Sequence, residues 1–129
     1  MNPKKIKIGC ASAFWGDTSS AARQLVEKGD IDYLVSDFLA EMTMSILAGS
    51  KKNNPKMGYA TDFIDQLSPL LETIKSKNIK VISNAGGVNL NSCKEALEEI
   101  AHSLGIALNI AIISGDDLMS KKNELMGMN

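Results

Sequence analysis

Apolar positions along the chain recur with two periods, one near two and one near three and a half. Residues 5–11, KIKIGCA, are rich in isoleucine and end at small residues, which predicts a buried first strand. In DTSSAARQLVEKG the apolar positions Ala21, Ala22, Leu25 and Val26 predict a helix. Asp17 or Thr18 stands where its N-cap belongs, and Gly29 where its C-terminal cap belongs. IDYLVSD, 31–37, is a second strand. FLAEMTMSILAG, 38–49, is apolar on most sides and reads as a buried helix, followed by the loop GSKKNNPKMG. From 59 to 78, Phe63, Leu67, Leu70, Leu71 and Ile74 form one helical stripe. Pro69 inside it implies a kink, or a fresh helix capped by Ser68. IKVIS, 79–83, is a third strand. Cys93, Ala96, Leu97, Ile100, Ala101 and Leu104 then recur at helical spacing up to Gly105. Ser92 and Glu95 fit a capping box, and Asn89 offers a cap one turn earlier. IALNIAIIS, 106–114, holds a fourth strand, and the remainder is a tail.

The resulting order, β-α-β-αα-β-α-β, places helices between successive strands. Such crossovers imply parallel pairing. The expected fold is α/β: a three-layer, Rossmann-like, doubly wound arrangement with a parallel sheet of about four strands flanked by helices. The expected domain organisation is one unit over 1–129, with 118–129 as a tail. An open sheet edge would invite pairing with a partner.

Composition narrows the function classes. The 129 residues suit one domain with a real core, and the net charge of −1 gives no overall positive field for nucleic acid or an acidic membrane. The lysines of GSKKNNPK sit among Gly, Ser, Asn and Pro, as in a solvated loop. No apolar run approaches a membrane span. The start, MNPKKIKIGCASA, mimics a secretory leader, but Lys7 breaks its short apolar piece, which reads better as the first strand. Two cysteines, Cys10 and Cys93, make no disulfide framework, so a reducing cytoplasm is the expected location.

In parallel sheets of this kind ligands bind beyond the carboxyl ends of the strands, which singles out four loops. The first, GCASAFWGD, offers Gly9, Ser12, Trp15 and Asp17. Ala11 and Phe14 stand where the dinucleotide fingerprint needs glycine, so no dinucleotide is expected, although Asp37 sits where a ribose-binding acid would. Phe14 and Trp15 serve either loop packing or ligand contact. The second, SDFLAE, places Asp37, Glu41 and Ser45 on one helical stripe. This is either a cap with a solvated stripe, or two carboxylates able to hold a divalent metal or share acid–base work. The third, SNAGGVNLNSC, offers Asn84, Gly86, Gly87 and Asn89 ahead of a helix N-terminus that favours an anion. Cys93 follows in the apolar stripe, as a buried thiol or one with a lowered pKa. The fourth, SGDDL, offers Asp116 and Asp117 as hydroxyl or metal ligands, or as turn formers. There is no His or Cys cluster for zinc, and the only histidine, His102, sits late in a helix.

Taken together, GCASAFWGD, DYLVSDFLAEMTM, GYATDF, NAGGVN and GDDL, in this order, resemble the N-terminal region of the acyclic terpene utilisation (AtuA) family, from about Lys5 to Leu118. The positions that match its pattern include Gly9, Ser12, Phe14, Trp15, Gly16, Asp17, Asp37, Glu41, Asn84, Gly86, Gly87, Asn89, Asp116 and Asp117. Ala13 departs from it, where glycine is usual. The resemblance implies a role in bacterial catabolism of acyclic terpenes such as citronellol and geraniol, whose later steps run through acyl-CoA thioesters. A lyase or hydratase-type step on an acyl-CoA or hydroxy acid is the expected chemistry; the strand-end loops, not the resemblance, single out Asp37, Glu41 and Asp116 as the catalytic or metal-ligating acids. Members of the family are usually several times longer. The expectation is therefore a part or small subunit of such an enzyme, as a homo-oligomer or with a partner subunit supplying the missing region. Two alternatives from other classes stay open: a non-catalytic assembly module that docks a partner, and a nucleotide-binding protein.

Overall fold

The structure is a computed structural model that describes residues 5–128. Residues 1–4, the start of the leader-like stretch, and Asn129, the end of the tail, lie outside them. The fold is mixed α/β, with three parallel strands in the order β1-β2-β3. β1 is Ile8–Ser12, β2 is Tyr33–Ser36 and β3 is Lys80–Ser83. Gly9, Leu34 and Val81 align across the sheet, as do Cys10, Val35 and Ile82. An irregularity in β1 between Cys10 and Ser12 brings Ser12 opposite Ser36, which in turn pairs with Ser83. Three serines thus form a row across the carboxyl ends.

Helix α1, Ala21–Lys28, crosses from β1 to β2 and ends at Gly29, as the sequence predicts. Its start differs: the N-cap is Ser20, because Asp17 turns back to its own loop and accepts the Ala13 amide at 3.0 Å. Helix α2, Glu41–Asn53, is also displaced from its expected span. Phe38 is pulled into the core at 1% exposure, so residues 37–40 run outside the helix. At the other end the helix continues through 50–53, expected as loop; Lys51 and Lys52 suit the negative pole of its last turn. Nor is α2 a buried helix. Thr43 and Leu47 are buried, whereas Met42 (76%) and Ile46 (51%) face outward.

The next crossover bends at Pro69, as expected. Helix α3, Thr61–Leu67, passes through a 3-10 turn, Ser68–Leu70, into helix α4, Leu71–Ser76. Its stripe of Phe63, Leu67, Leu70, Leu71 and Ile74 is buried with Leu34, Val26 and Phe38. Helix α5, Leu90–Ser103, follows β3 and adds Cys93 and Ala101 to that core. Two short pieces close the chain, a 3-10 turn at Met119–Lys121 and helix α6, Lys122–Met126.

Two expectations about the whole sheet are corrected. The fourth strand is not formed: 106–114 carries no ladder hydrogen bonds, and the described sheet has three strands. Gly105, with φ +67°, ends α5, and the Ile106 amide folds back onto the Ala101 carbonyl. The segment keeps the alternation of a strand, with Ile106, Leu108 and Ile110 half-buried between exposed neighbours. A second helix layer, which the three-layer, doubly wound arrangement requires, is not seen among the described residues. α1 touches α3 and α4, and α5 touches α3 and the 3-10 turn, so these four helices share one layer. On the opposite face Ile8 is 66% and Ile82 55% exposed, with Cys10 exposed between them and Lys80 lying 5.8 Å over the Tyr33 ring.

Candidate functional site

The carboxyl ends of β1, β2 and β3 bring together Ser12, Asp37 and Asn84 of the expected site residues. β2 ends Val35-Ser36-Asp37 and β3 ends Ile82-Ser83-Asn84, so their parallel register sets Asp37 beside Asn84. Asn84 Nδ2 donates to Asp37 Oδ1 at 2.7 Å, and Asn84 Oδ1 accepts the Phe38 amide at 2.8 Å. Asp37 Oδ1 also accepts the Leu39 amide at 3.2 Å. Ser12 Oγ donates to the Asp37 carbonyl at 3.1 Å, and Ser83 Oγ donates to the Ser36 carbonyl at 2.8 Å. The loop after β2 is therefore fixed from both flanking strands, with Phe38 packed edge-on to Phe63 beneath it, centroids 5.8 Å apart. Among described residues, no hydrogen bond engages Asp37 Oδ2, and the residue is exposed. A carboxylate held on one oxygen with the other turned to solvent is preorganised to accept a hydroxyl or amide, or to ligate a cation.

Ser36 and Ser83 were not among the expected site residues. The signal for them was available: a Ser-Asp and a Ser-Asn pair end two aligned strands.

Glu41 is exposed at the first position of α2, while Asp37 precedes the helix, so the two do not share a helical stripe. Asp37 caps no helix; its bond to Leu39 closes a local turn. Asp116 and Asp117 lie in the exposed stretch before the Met119–Lys121 turn and follow no strand, because the fourth strand is unformed. Asp117 Oδ1 accepts the Met119 amide at 2.9 Å. Among the described residues, no group of three or more His, Cys, Asp and Glu side chains is placed to hold a metal ion.

The loop of Ser83–Cys93 is closely packed by its own protein. A Cβ on Gly86 would run into the Leu90 side chain. One on Gly87 would lie 2.5 Å from Leu47 Cδ1 and 2.7 Å from the Gly58 carbonyl oxygen, and Gly87 has φ +53°. Asn89 caps α5, accepting the Ser92 amide at 3.4 Å. Its Nδ2 donates to the Pro55 and Met57 carbonyls at 2.9 and 2.7 Å, tying the loop before α3 to α5. These groups hold the loop's shape, and Asn84 is the member that reaches the Asp37 carboxylate.

On the first loop, Gly9 lets β1 approach α1: a Cβ there would meet Leu25 at 3.0 Å and Ile31 at 3.2 Å. Trp15 is half-buried against the core, whereas Phe14 is 52% exposed. Burial pushes the Cys93 thiol up to about 11, which makes it a buried apolar group rather than a nucleophile. The same desolvation raises Tyr59, with Cys93, Glu99 and Asp65 adding to it.

Two surface hollows lie elsewhere. One, of about 540 Å³, is lined by Cys10, Ala21, Gln24, Leu25, Lys28 and Gly29 beside the free edge of β1. The other, of about 400 Å³, lies between α1 and α3, against Arg23, Asp62 and Asp65.

No curated protein and no solved structure matches the chain. The model of the acyclic terpene utilisation family protein AtuA matches residues 6–129. That span includes every loop described above, and the chain belongs to the AtuA family.

Proposed function

We propose that this chain is the N-terminal part, or a small subunit, of an AtuA-like catabolic enzyme, and that it binds an anionic or hydroxylated metabolite over the carboxyl ends of β1–β3. The observation that carries this reading is the Asp37–Asn84 pair, a carboxylate oriented by a cross-strand amide with one oxygen left toward solvent. We take a hydroxy acid or an acyl-CoA thioester as the class of ligand, in keeping with a family named for acyclic terpene utilisation. Asp37 would accept the ligand's hydroxyl proton or hold a divalent cation, and Glu41, four residues on at the start of α2, would supply a second carboxylate on the ligand's side of the loop. Lyase or hydratase chemistry fits such a pair, because it needs a base to remove a proton next to a carbonyl. The location consistent with this chemistry is the cytoplasm; no described helix is long and apolar enough to cross a membrane.

Calorimetric titration with lactate, a branched acyl-CoA and free CoA, each with and without Mg²⁺, tests this reading. Binding of lactate or the thioester that weakens at least tenfold in D37N is the expected result. Unchanged affinity in D37N would overturn the assignment.

A second reading is favoured by a separate observation, the apolar sheet face of Ile8, Cys10 and Ile82. It makes the chain a docking module that contributes no reacting group. Binding of ATP, NAD or CoA with loss of affinity on changes around Gly9 would instead support nucleotide recognition.

A further inference from the structure

Helix α2 begins with its donors open. Its N-cap is Ala40, whose side chain can accept nothing, and the Met44 amide is the first to bond, to the Ala40 carbonyl at 2.9 Å. Among the described residues the amides of Glu41, Met42 and Thr43 have no acceptor. Such a terminus carries partial positive charge and favours an oxygen. Thr43, in the same turn, adds a second feature. It is 8% exposed, yet its hydroxyl makes no hydrogen bond among the described residues, not even to the preceding turn, where a helical threonine can bond. No side-chain oxygen closed off from solvent lacks a partner among those residues, so the small exposed part of Thr43 includes its hydroxyl. The Cα–Cβ bonds of a helix tilt toward its N-terminus, which aims that hydroxyl at the open amides. Leu47, one turn further on the same face, packs against Gly87, and Asn84 Oδ1 holds the Phe38 amide just ahead of the helix. The open turn of α2 therefore borders the Asp37–Asn84 edge.

Charge decides what kind of oxygen fits there. Residues 12–20, 37–42 and 84–92, the loops at this edge, hold Asp17, Asp37 and Glu41 and no Lys, Arg or His. Lys51 lies about two turns along α2 and is engaged by the Val88 carbonyl. Glu41, at the first helical position, already offsets the helix dipole. A carboxylate or phosphate would meet like charge with no cation among these loops to offset it. A carbonyl oxygen gains the same donors without that repulsion. We infer that the Glu41–Thr43 turn, with the Thr43 hydroxyl, is the subsite for the carbonyl oxygen of a hydroxylated acyl ester or thioester, and that the site discriminates against the free hydroxy acid. The inference rests on the ligand reading of Asp37 and deepens it: Asp37 takes the hydroxyl and the α2 terminus the carbonyl.

Calorimetry of the full chain with the N-acetylcysteamine thioester of 3-hydroxybutyrate and with free 3-hydroxybutyrate, each with Mg²⁺ and with EDTA, gives the test. The thioester should bind roughly tenfold more tightly than the free acid in both conditions. T43V should weaken it roughly fivefold, the loss of one hydrogen bond, and T43S should retain it. A40S supplies the missing cap. It should raise the melting temperature while weakening thioester binding, because the new hydroxyl accepts from the same amides. That opposition separates loss of the ligand from loss of the fold, and it holds even where T43V folds poorly. Free acid binding as tightly as the thioester, with or without Mg²⁺, overturns the inference. Unchanged thioester affinity in A40S, or in folded T43V, also overturns it, and in that case weaker binding in D37N leaves the reading of Asp37 standing. No binding of either probe overturns both.

Discussion

Gly87 is the most constrained residue of the candidate loop. Its φ of +53° is costly for a side-chain-bearing residue, and Leu47 and the Gly58 carbonyl fill the space a Cβ would need. G87A should lose about 1–3 kcal/mol in denaturant unfolding. Gly16, at φ +88° with nothing within 4 Å, provides the control: G16A should cost less than G87A. Equal losses would show that packing around Gly87 contributes little. Cys93 makes a second prediction. Its folded pKa, about 11, lies above the ordinary thiol value of 9.0. The stability this gives is fully present below pH 9 and is lost as pH rises through 11, because the unfolded thiol ionises first. Wild type should therefore lose more stability than C93A between pH 9 and 11. At pH 8, an alkylating reagent should modify exposed Cys10 and spare Cys93 until the chain unfolds. The residue types at these positions were legible in the sequence, but their partners were not. Asn89 looked equally suited to a cap or a ligand, and only the approach of Pro55 and Met57 decides how its amide is engaged.

At the scale of elements, α5 depends on its cap. N89A removes the bond to Ser92 and leaves the Pro55 and Met57 carbonyls without their donor. A loss of about 1–2 kcal/mol is expected, and a neutral effect would mean that water replaces all three bonds. The helix periods and the Pro69 bend were readable because they rest on local spacing. The start of α2 was not, since it depends on Phe38 leaving the helical stripe for a core pocket against Phe63. Its end was missed because Lys51 and Lys52 looked like loop composition, although they complement a helix terminus. The strand signal of 106–114 was real in its alternation. Ladder formation is non-local, however, and the edge bonds are not made in the single chain.

At the scale of the whole molecule, one helix layer and one bare sheet face explain why the α/β class was predictable and the layer count was not. Crossover order fixes parallel pairing, but which face each helix takes depends on contacts such as α5 with α3. The strand-end rule still led to Asp37 and Asn84, because parallel register aligns Ser36 with Ser83. It misplaced Asp116 and Asp117, whose position assumed a fourth strand. The central claim is that the Asp37–Asn84 edge is the ligand site of an AtuA-family protein. The most direct measurement is a nitrogen–proton NMR titration of the full chain with a branched acyl-CoA and with lactate. The account predicts saturable shifts at the amides of Phe38, Leu39 and Ala85 and at the Asn84 side chain, and their loss in D37N/E41Q. Shifts confined to the hollow beside Cys10 and Leu25, or shifts that persist in the double variant, would contradict it.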